Sequence, residues 1–189
     1  MFKNFIKKNF FRIFLFLKKT KYTLFTSDIN NSNFCIRDLK IIDKKLQLNK
    51  STEIIFDVGS HYGNEILNFK HYFSSAKIYA FEANKKCFEK LRNNTKSKKN
   101  VFIQNIFLSK DLINQPIDFF IDKKSDLIGS YYSKTQLTKT TATKTQVNTD
   151  TIDNFCKINN LQNIDILRID INGYELEALK GATNLLNEK

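Results

Sequence analysis

The chain predicts an α/β domain built around a mostly parallel sheet, and three segments carry that expectation. "IIFDVGSHYG", from Ile54 to Gly63, is an apolar run around one acid, closed by two glycines. Such a run reads as a strand buried on both faces that ends in a tight loop. "KIYAF", from Lys77 to Phe81, reads as a second strand with Glu82 at its carboxyl end. In the third segment Ile164, Ile166, Ile169 and Ile171 fit a buried strand, and Leu176, Leu179, Ala182 and Leu186 then recur at the spacing of one helix face. Strands alternating with helices imply parallel pairing, and 189 residues imply one domain with a real core.

The elements follow in order. Residues 1–26 read as a basic amphipathic helix. Lys3, Lys7, Lys8, Arg12, Lys18, Lys19 and Lys21 occur there with no acid, and Phe2, Ile6, Phe10, Ile13, Phe14 and Leu17 lie between them at three and four. That pattern suits either an anionic membrane surface, reached through residues 1–21, or a helix packed on the domain. The apolar stretch is interrupted by Arg12 and falls far short of the roughly 20 residues needed to span a bilayer. Residues 27–50 read as a connector with a helix near Ile36 to Leu46, and residues 51–189 as the main domain. Within that domain the expected order is a strand near 53–58, a helix near 64–73, the strand 77–81 and a basic helix from Lys85 to Asn94. A third strand lies within 101–108, an added strand at 116–122 and an exposed threonine-rich strand or loop at 134–149. A short helix at 152–158 and the strand at 164–171 follow, with the last helix starting at Tyr174.

Charge and cysteines narrow the classes. The net charge is +12, more than half of it in the first 21 residues, and no nucleic-acid module accompanies it, so nucleic acid is not the expected partner. Cys35, Cys87 and Cys156 are isolated, and His61 and His71 are the only histidines. Neither a disulfide framework nor a metal site is indicated, and a reducing cytoplasm fits, with the basic segment available to the inner face of a membrane.

The glycine loop helps to select the cofactor. A dinucleotide fingerprint needs G-x-G-x-x-G, whereas here His61 and Asn64 stand at the second and third glycine positions. A D-x-G-x-x-x-G loop suits a cofactor without phosphate, such as S-adenosyl-L-methionine. Gly59 and Gly63 would let the backbone turn and approach it. Asp57 would hold a methionyl amino group, directly or through water, and Ser60 and His61 follow in the same loop. Glu82 lies about 20 residues beyond the loop, where a carboxylate accepts hydrogen bonds from ribose hydroxyls.

The last segment makes the pattern specific. Asp165, Leu167, Ile169, Asp170, Gly173, Glu175, Leu179, Lys180, Gly181 and Ala182 resemble the strand-turn-helix signature of the FkbM family of S-adenosylmethionine-dependent methyltransferases. "FDVGSHYG" resembles that family's first motif, "YAFEAN" its second, and Ile152 and Asp153 its leucine-aspartate pair. The resemblance covers roughly residues 54–187 and implies a Rossmann-like class I methyltransferase sheet. It implies O-methylation of a hydroxyl on a sugar or secondary metabolite, with a small molecule or glycan as acceptor. Asp170, ending the strand at the crevice, is the first candidate for the base that takes the acceptor's proton, and Glu175 is a second acid near it. Asn172 and Glu175 also fit a capping box at the start of the last helix. The departures are Ser60-His61 for alanine-asparagine, Ala83 for proline, Asn172 for glutamate, Arg168 for lysine, and Phe107 for an alanine, where it would crowd the adenine.

The resemblance further implies that the family's fold continues past Lys189 by about three strands. On that reading the domain lacks its C-terminal strands, and the strand at 164–171 keeps an open edge that invites association. Two alternatives stand beside the methyltransferase: a non-catalytic or incomplete copy of it, and a nicotinamide-dependent oxidoreductase.

Overall fold

The computed structural model describes residues 11–18, 21–28, 52–122, 129–130 and 142–187. Two sheets form. The larger contains β1 (Phe11–Lys18), β2 (Lys21–Asp28), β3 (Ile54–Val58), β4 (Lys77–Phe81), β5 (Val101–Gln104) and β10 (Ile166–Ile169), in the order β2-β1-β10-β3-β4-β5. The smaller is β6 (Ile106–Leu108), β9 (Ala142–Asp150), β7 (Ile117–Asp122) and β8 (Gly129–Ser130), in that order. Five helices are described: α1 (Asn64–Tyr72), α2 (Lys85–Thr95), α3 (Ile152–Ile158), α4 (Glu175–Lys180) and α5 (Thr183–Asn187).

The four strands β10, β3, β4 and β5 are parallel. Because side chains alternate across a sheet, Ile55, Ile78, Ala80 and Ile166 share one face, where Ile66 and Phe69 of α1 and Leu91 of α2 cover them. Phe56, Val58, Tyr79, Phe81, Leu167 and Ile169 share the other, under Ile152 and Phe155 of α3 and Ala178 and Leu179 of α4. Burial on both faces accounts for the near-continuous apolar runs of these strands. The chain runs outward from β3 through β4 to β5, then returns to place β10 on the other side of β3. The crevice at the carboxyl ends of β3 and β10 is therefore a topological switch point, where open α/β sheets bind ligands.

The amphipathic helix expected over residues 1–26 is corrected across 11–18 and 21–26, and its residues 1–10 and 19–20 lie outside the described residues. Phe11–Lys18 and Lys21–Asp28 are strands, and β1 pairs antiparallel with β10, Ile13 opposite Ile169 and Phe16 opposite Ile166. Phe11, Ile13, Phe14 and Phe16 in the first strand and Tyr22, Thr23, Phe25 and Thr26 in the second are aromatic or β-branched residues that favour the extended state. The outer backbone groups of β10 also need partners. The spacing that suggested a membrane-facing helix has no helix to act on across 11–18. The open edge expected beside residues 164–171 is likewise corrected, since β1 fills it. The helix expected near residues 36–46 lies outside the described residues. Deleting residues 1–28 should uncover the edge of β10 and promote association. Light scattering on that variant should show species larger than the full chain's; an unchanged mass would contradict the pairing.

Two further differences concern the C-terminal half. The expected third strand is two strands, because Asn105 lies at a switch between sheets; its side chain donates to the Glu82 and Ala83 carbonyls at 2.7 and 3.1 Å. The last helix is broken at Gly181, whose missing Cβ leaves room for the Ser109 carbonyl; an added Cβ would sit 2.1 Å from that oxygen. The Asp153 amide donates to the Gly181 carbonyl, and the Asp153 carboxylate accepts from the Asn184 and Leu185 amides at the start of α5. Gly181→Ala should therefore cost about 1–3 kcal/mol through forced backbone shifts, measured by urea denaturation. A stability equal to that of the parent would show that Ser109 can give way.

Candidate functional site

A cleft of about 440 Å3 opens at the switch point. Its walls come from three strand ends: Gly59, Ser60 and His61 after β3, Glu82 and Ala83 after β4, and Asp170 to Asn172 after β10. Phe107 and Tyr174 close it on the side of the smaller sheet, their rings edge to face at 5.3 Å. Of the residues expected from sequence, Gly59, Ser60, His61, Glu82, Ala83, Phe107 and Asp170 line the cleft, and Asp57, Gly63 and Glu175 do not.

The loop after β3 is held by its own backbone. The Gly59 and Ser60 amides both donate to the Phe81 carbonyl, at 2.9 and 3.0 Å, and the Ser60 hydroxyl donates to the Asp57 carbonyl at 2.7 Å. Gly59 has φ 84°, and a Cβ there would lie 2.1 Å from the Asp170 carbonyl. The glycine thus lets the ends of β3 and β10 meet, which differs from the ligand approach read from its sequence. His61, with φ 50°, takes the left-handed turn that follows.

Glu82 ties this loop to β4. One carboxylate oxygen accepts the His61 amide at 2.7 Å, the other the Asn84 amide at 2.8 Å. Asn84 in turn caps α2, its side chain accepting the Lys86 amide. Burial pushes the Glu82 carboxyl up to about 7, against the two amides that favour its ionised form. With the folded value raised above that of the unfolded chain, rising pH ionises the unfolded chain first. Glu82's contribution to stability therefore falls between about 4.5 and 7 and stays lower above that window.

Asp57, Arg168 and Asp170 form a buried ion-pair chain. Asp57 and Arg168 are direct partners in the parallel register of β3 and β10, and Asp170 lies two residues beyond Arg168, on the same side of the strand. One Arg168 terminal nitrogen donates to Asp57 Oδ1 at 2.6 Å and to the Gly59 carbonyl at 3.2 Å; the other donates to Asp170 Oδ2 at 2.6 Å. The Asp57 side chain is 0% exposed, that of Arg168 5%, and that of Asp170 20%. Burial works to lower the guanidinium's pKa, but the two carboxylates outweigh it and hold Arg168 charged. Burial raises that of Asp57, and the Arg168 contact opposes it. Asp57 Oδ2 is buried without a hydrogen-bond partner.

Arg168 is the site residue that sequence reasoning passed over, noting it only as a replacement for lysine. The available signal was a cation inside the fully buried run "ILRI", which needs acidic partners to be tolerated there. Glu175 is buried, and one of its oxygens accepts the Ile171 and Gly173 amides at 3.0 and 3.1 Å, which shapes the turn after β10. The capping box is corrected in its other half. Asn172 is not the cap of α4; it adopts φ 54°, a left-handed conformation that asparagine tolerates. Among the described residues no group of His, Cys, Asp and Glu is placed to hold a metal ion, and no helix is long and apolar enough to cross a membrane.

A mostly parallel sheet with a glycine loop, a carboxylate after the next strand and a cleft at the switch point defines a Rossmann-like α/β domain. Residues 57–189 match the model of the methyltransferase FkbM domain. The chain belongs to that family. Among solved structures it is similar to methyltransferase FkbM from Methylobacillus flagellatus KT, at 15% identity and a TM-score of 0.45, over 72% of this chain and 30% of that one. The chain thus spans less than a third of the length of that protein. No curated protein matches the sequence.

Proposed function

We propose that the chain binds S-adenosyl-L-methionine in this cleft and transfers its methyl group to a hydroxyl of a sugar or secondary metabolite. The observation that carries the reading is Glu82. It is a carboxylate lining the cleft at the end of β4, oriented by two backbone amides, in a chain whose family is a methyltransferase family. The lining of the cleft supports this reading. Glu82 offers acceptors for ribose hydroxyls, Ala83 and Phe107 offer apolar surface for a base, and Asp170 offers an anion near the methionyl end.

When bound, the cofactor supplies a methyl group activated on a sulfonium. The protein's own work is alignment and proton removal. Asp170, fixed by Arg168 at the cleft, would take the proton of the acceptor hydroxyl as the oxygen attacks. Asp57 lies beneath the cleft and acts through Arg168, and Glu175 shapes the turn that carries Asp170 and Asn172; both are positioning residues.

Calorimetry with S-adenosyl-L-methionine and NAD tests the reading: saturable binding of the first and none of the second is expected. Glu82 adds a pH dependence. Ribose hydroxyls favour the ionised carboxylate, so affinity should rise by up to about tenfold from pH 6 to pH 8 as Glu82 ionises, and Glu82→Gln should flatten that rise. An identical slope in the variant would remove Glu82 from the binding step.

A further inference from the structure

We infer that Asp170, pinned by Arg168, reads the positive charge at the reacting sulfur, so that the cleft prefers a cationic sulfonium cofactor to the neutral thioether left after transfer. The inference rests on the cofactor reading above and assigns one carboxylate of the site to one group of the ligand.

The charge balance of the cleft points to it. The chain carries a net +12, yet among the described residues the cleft wall contains Glu65, Glu82 and Asp170, no lysine, and Arg168 as its one arginine. The Arg168 charge is answered within the protein, since both terminal nitrogens are held by carboxylates. Two carboxylates share that single guanidinium. Asp57 is wholly buried and outside the cleft wall, so Asp170 is the member of the chain that presents charge to a ligand. Its side chain is fixed before any ligand arrives, so no reorganisation is required to face a cation, and the low-dielectric surroundings strengthen the interaction.

The topology separates the two roles. β4 and β10 flank β3 on opposite sides, so at ordinary strand spacing the ends carrying Glu82 and Asp170 are on the order of 10 Å apart. Glu82 faces one end of the cleft and suits uncharged hydroxyls, and Asp170 faces the other. In transfer, the acceptor oxygen forms a bond to the methyl carbon while the carbon–sulfur bond breaks. Both electrons of that bond stay on sulfur, which passes from sulfonium to neutral thioether, and the hydroxyl proton goes to the base. The attraction to Asp170 is lost at that moment, which favours release of the product.

Calorimetry with three probes tests the assignment: S-adenosyl-L-methionine, S-adenosyl-L-homocysteine and sinefungin, which keeps a positive charge beside the reacting position without a sulfonium methyl. The two cationic probes should bind at least about tenfold more tightly than S-adenosyl-L-homocysteine. Asp170→Asn should bring all three within about threefold, a smaller electrostatic difference than one full charge supplies, and Glu82→Gln should weaken all three alike. S-adenosyl-L-homocysteine binding as tightly as the cations, or a preference that survives Asp170→Asn in a folded variant, overturns the inference while leaving the cofactor reading intact. Should Asp170→Asn fail to fold, the parent decides: sinefungin ranking with S-adenosyl-L-homocysteine excludes charge as the cause. Failure of all three to bind overturns the cofactor reading and this inference together.

Discussion

Arg168→Met is expected to destabilise the domain by about 3–5 kcal/mol, the largest effect of any single substitution considered. The guanidinium bridges two carboxylates at 2.6 Å, one of them wholly buried. Removing it leaves Asp57 as an unpaired buried anion, and that desolvation penalty, more than the lost attraction, sets the size of the effect. Arg168→Lys keeps the charge but offers a compact ammonium where two separate nitrogens now reach Asp57, the Gly59 carbonyl and Asp170. It should fall between the parent and Arg168→Met in guanidinium denaturation. Combining Arg168→Met with Asp57→Leu should recover part of the loss, because no buried charge is then stranded. A double variant no more stable than Arg168→Met alone would mean that the ion pair is not what Arg168 contributes.

Glu82→Ala should weaken S-adenosyl-L-methionine binding by at least about tenfold, from the loss of charge-assisted hydrogen bonds worth roughly 1.5–3 kcal/mol each. It should also loosen the loop after β3, since the His61 and Asn84 amides lose their acceptor. The two consequences separate by experiment. Glu82→Gln loses the charge and keeps one acceptor oxygen where the carboxylate has two, its amide nitrogen facing the other backbone N–H, so it should hold one of the two loop contacts where Glu82→Ala holds neither. Calorimetry on both variants, with hydrogen exchange at His61 and Asn84, measures each part. Unchanged affinity in Glu82→Ala would remove this residue from the ligand site.

Much of this arrangement was legible in the chain because the signals were local. The strand at Lys77–Phe81 and the helix at Ile152–Ile158 fall where the apolar pattern and the polar residues flanking it place them. The helix start at Lys85 follows from Asn84, an asparagine at the cap position. What the sequence hid depends on distant partners. Phe10 to Leu17 satisfies a helical period, but the same phenylalanines and Ile13 also suit a strand. The choice falls to the edge of β10, more than a hundred residues away. The smaller sheet is hidden for a related reason. β6 pairs in parallel with β9, and β9 is a threonine-rich strand with one apolar position, Val147, turned into the core. Within the site, Glu82 could be placed from its spacing, but the roles of Asp57 and Asp170 could not. Their bond to Arg168 exists only once β3 and β10 are neighbours in one register.

The most direct test of the account is a crystal structure of the chain with S-adenosyl-L-homocysteine. The account predicts the ligand in the cleft at the ends of β3, β4 and β10, with a ribose hydroxyl within about 3.2 Å of the Glu82 carboxylate and the sulfur on the Asp170 side. A ligand seated elsewhere, or one in the cleft whose ribose makes no contact with Glu82, would contradict it.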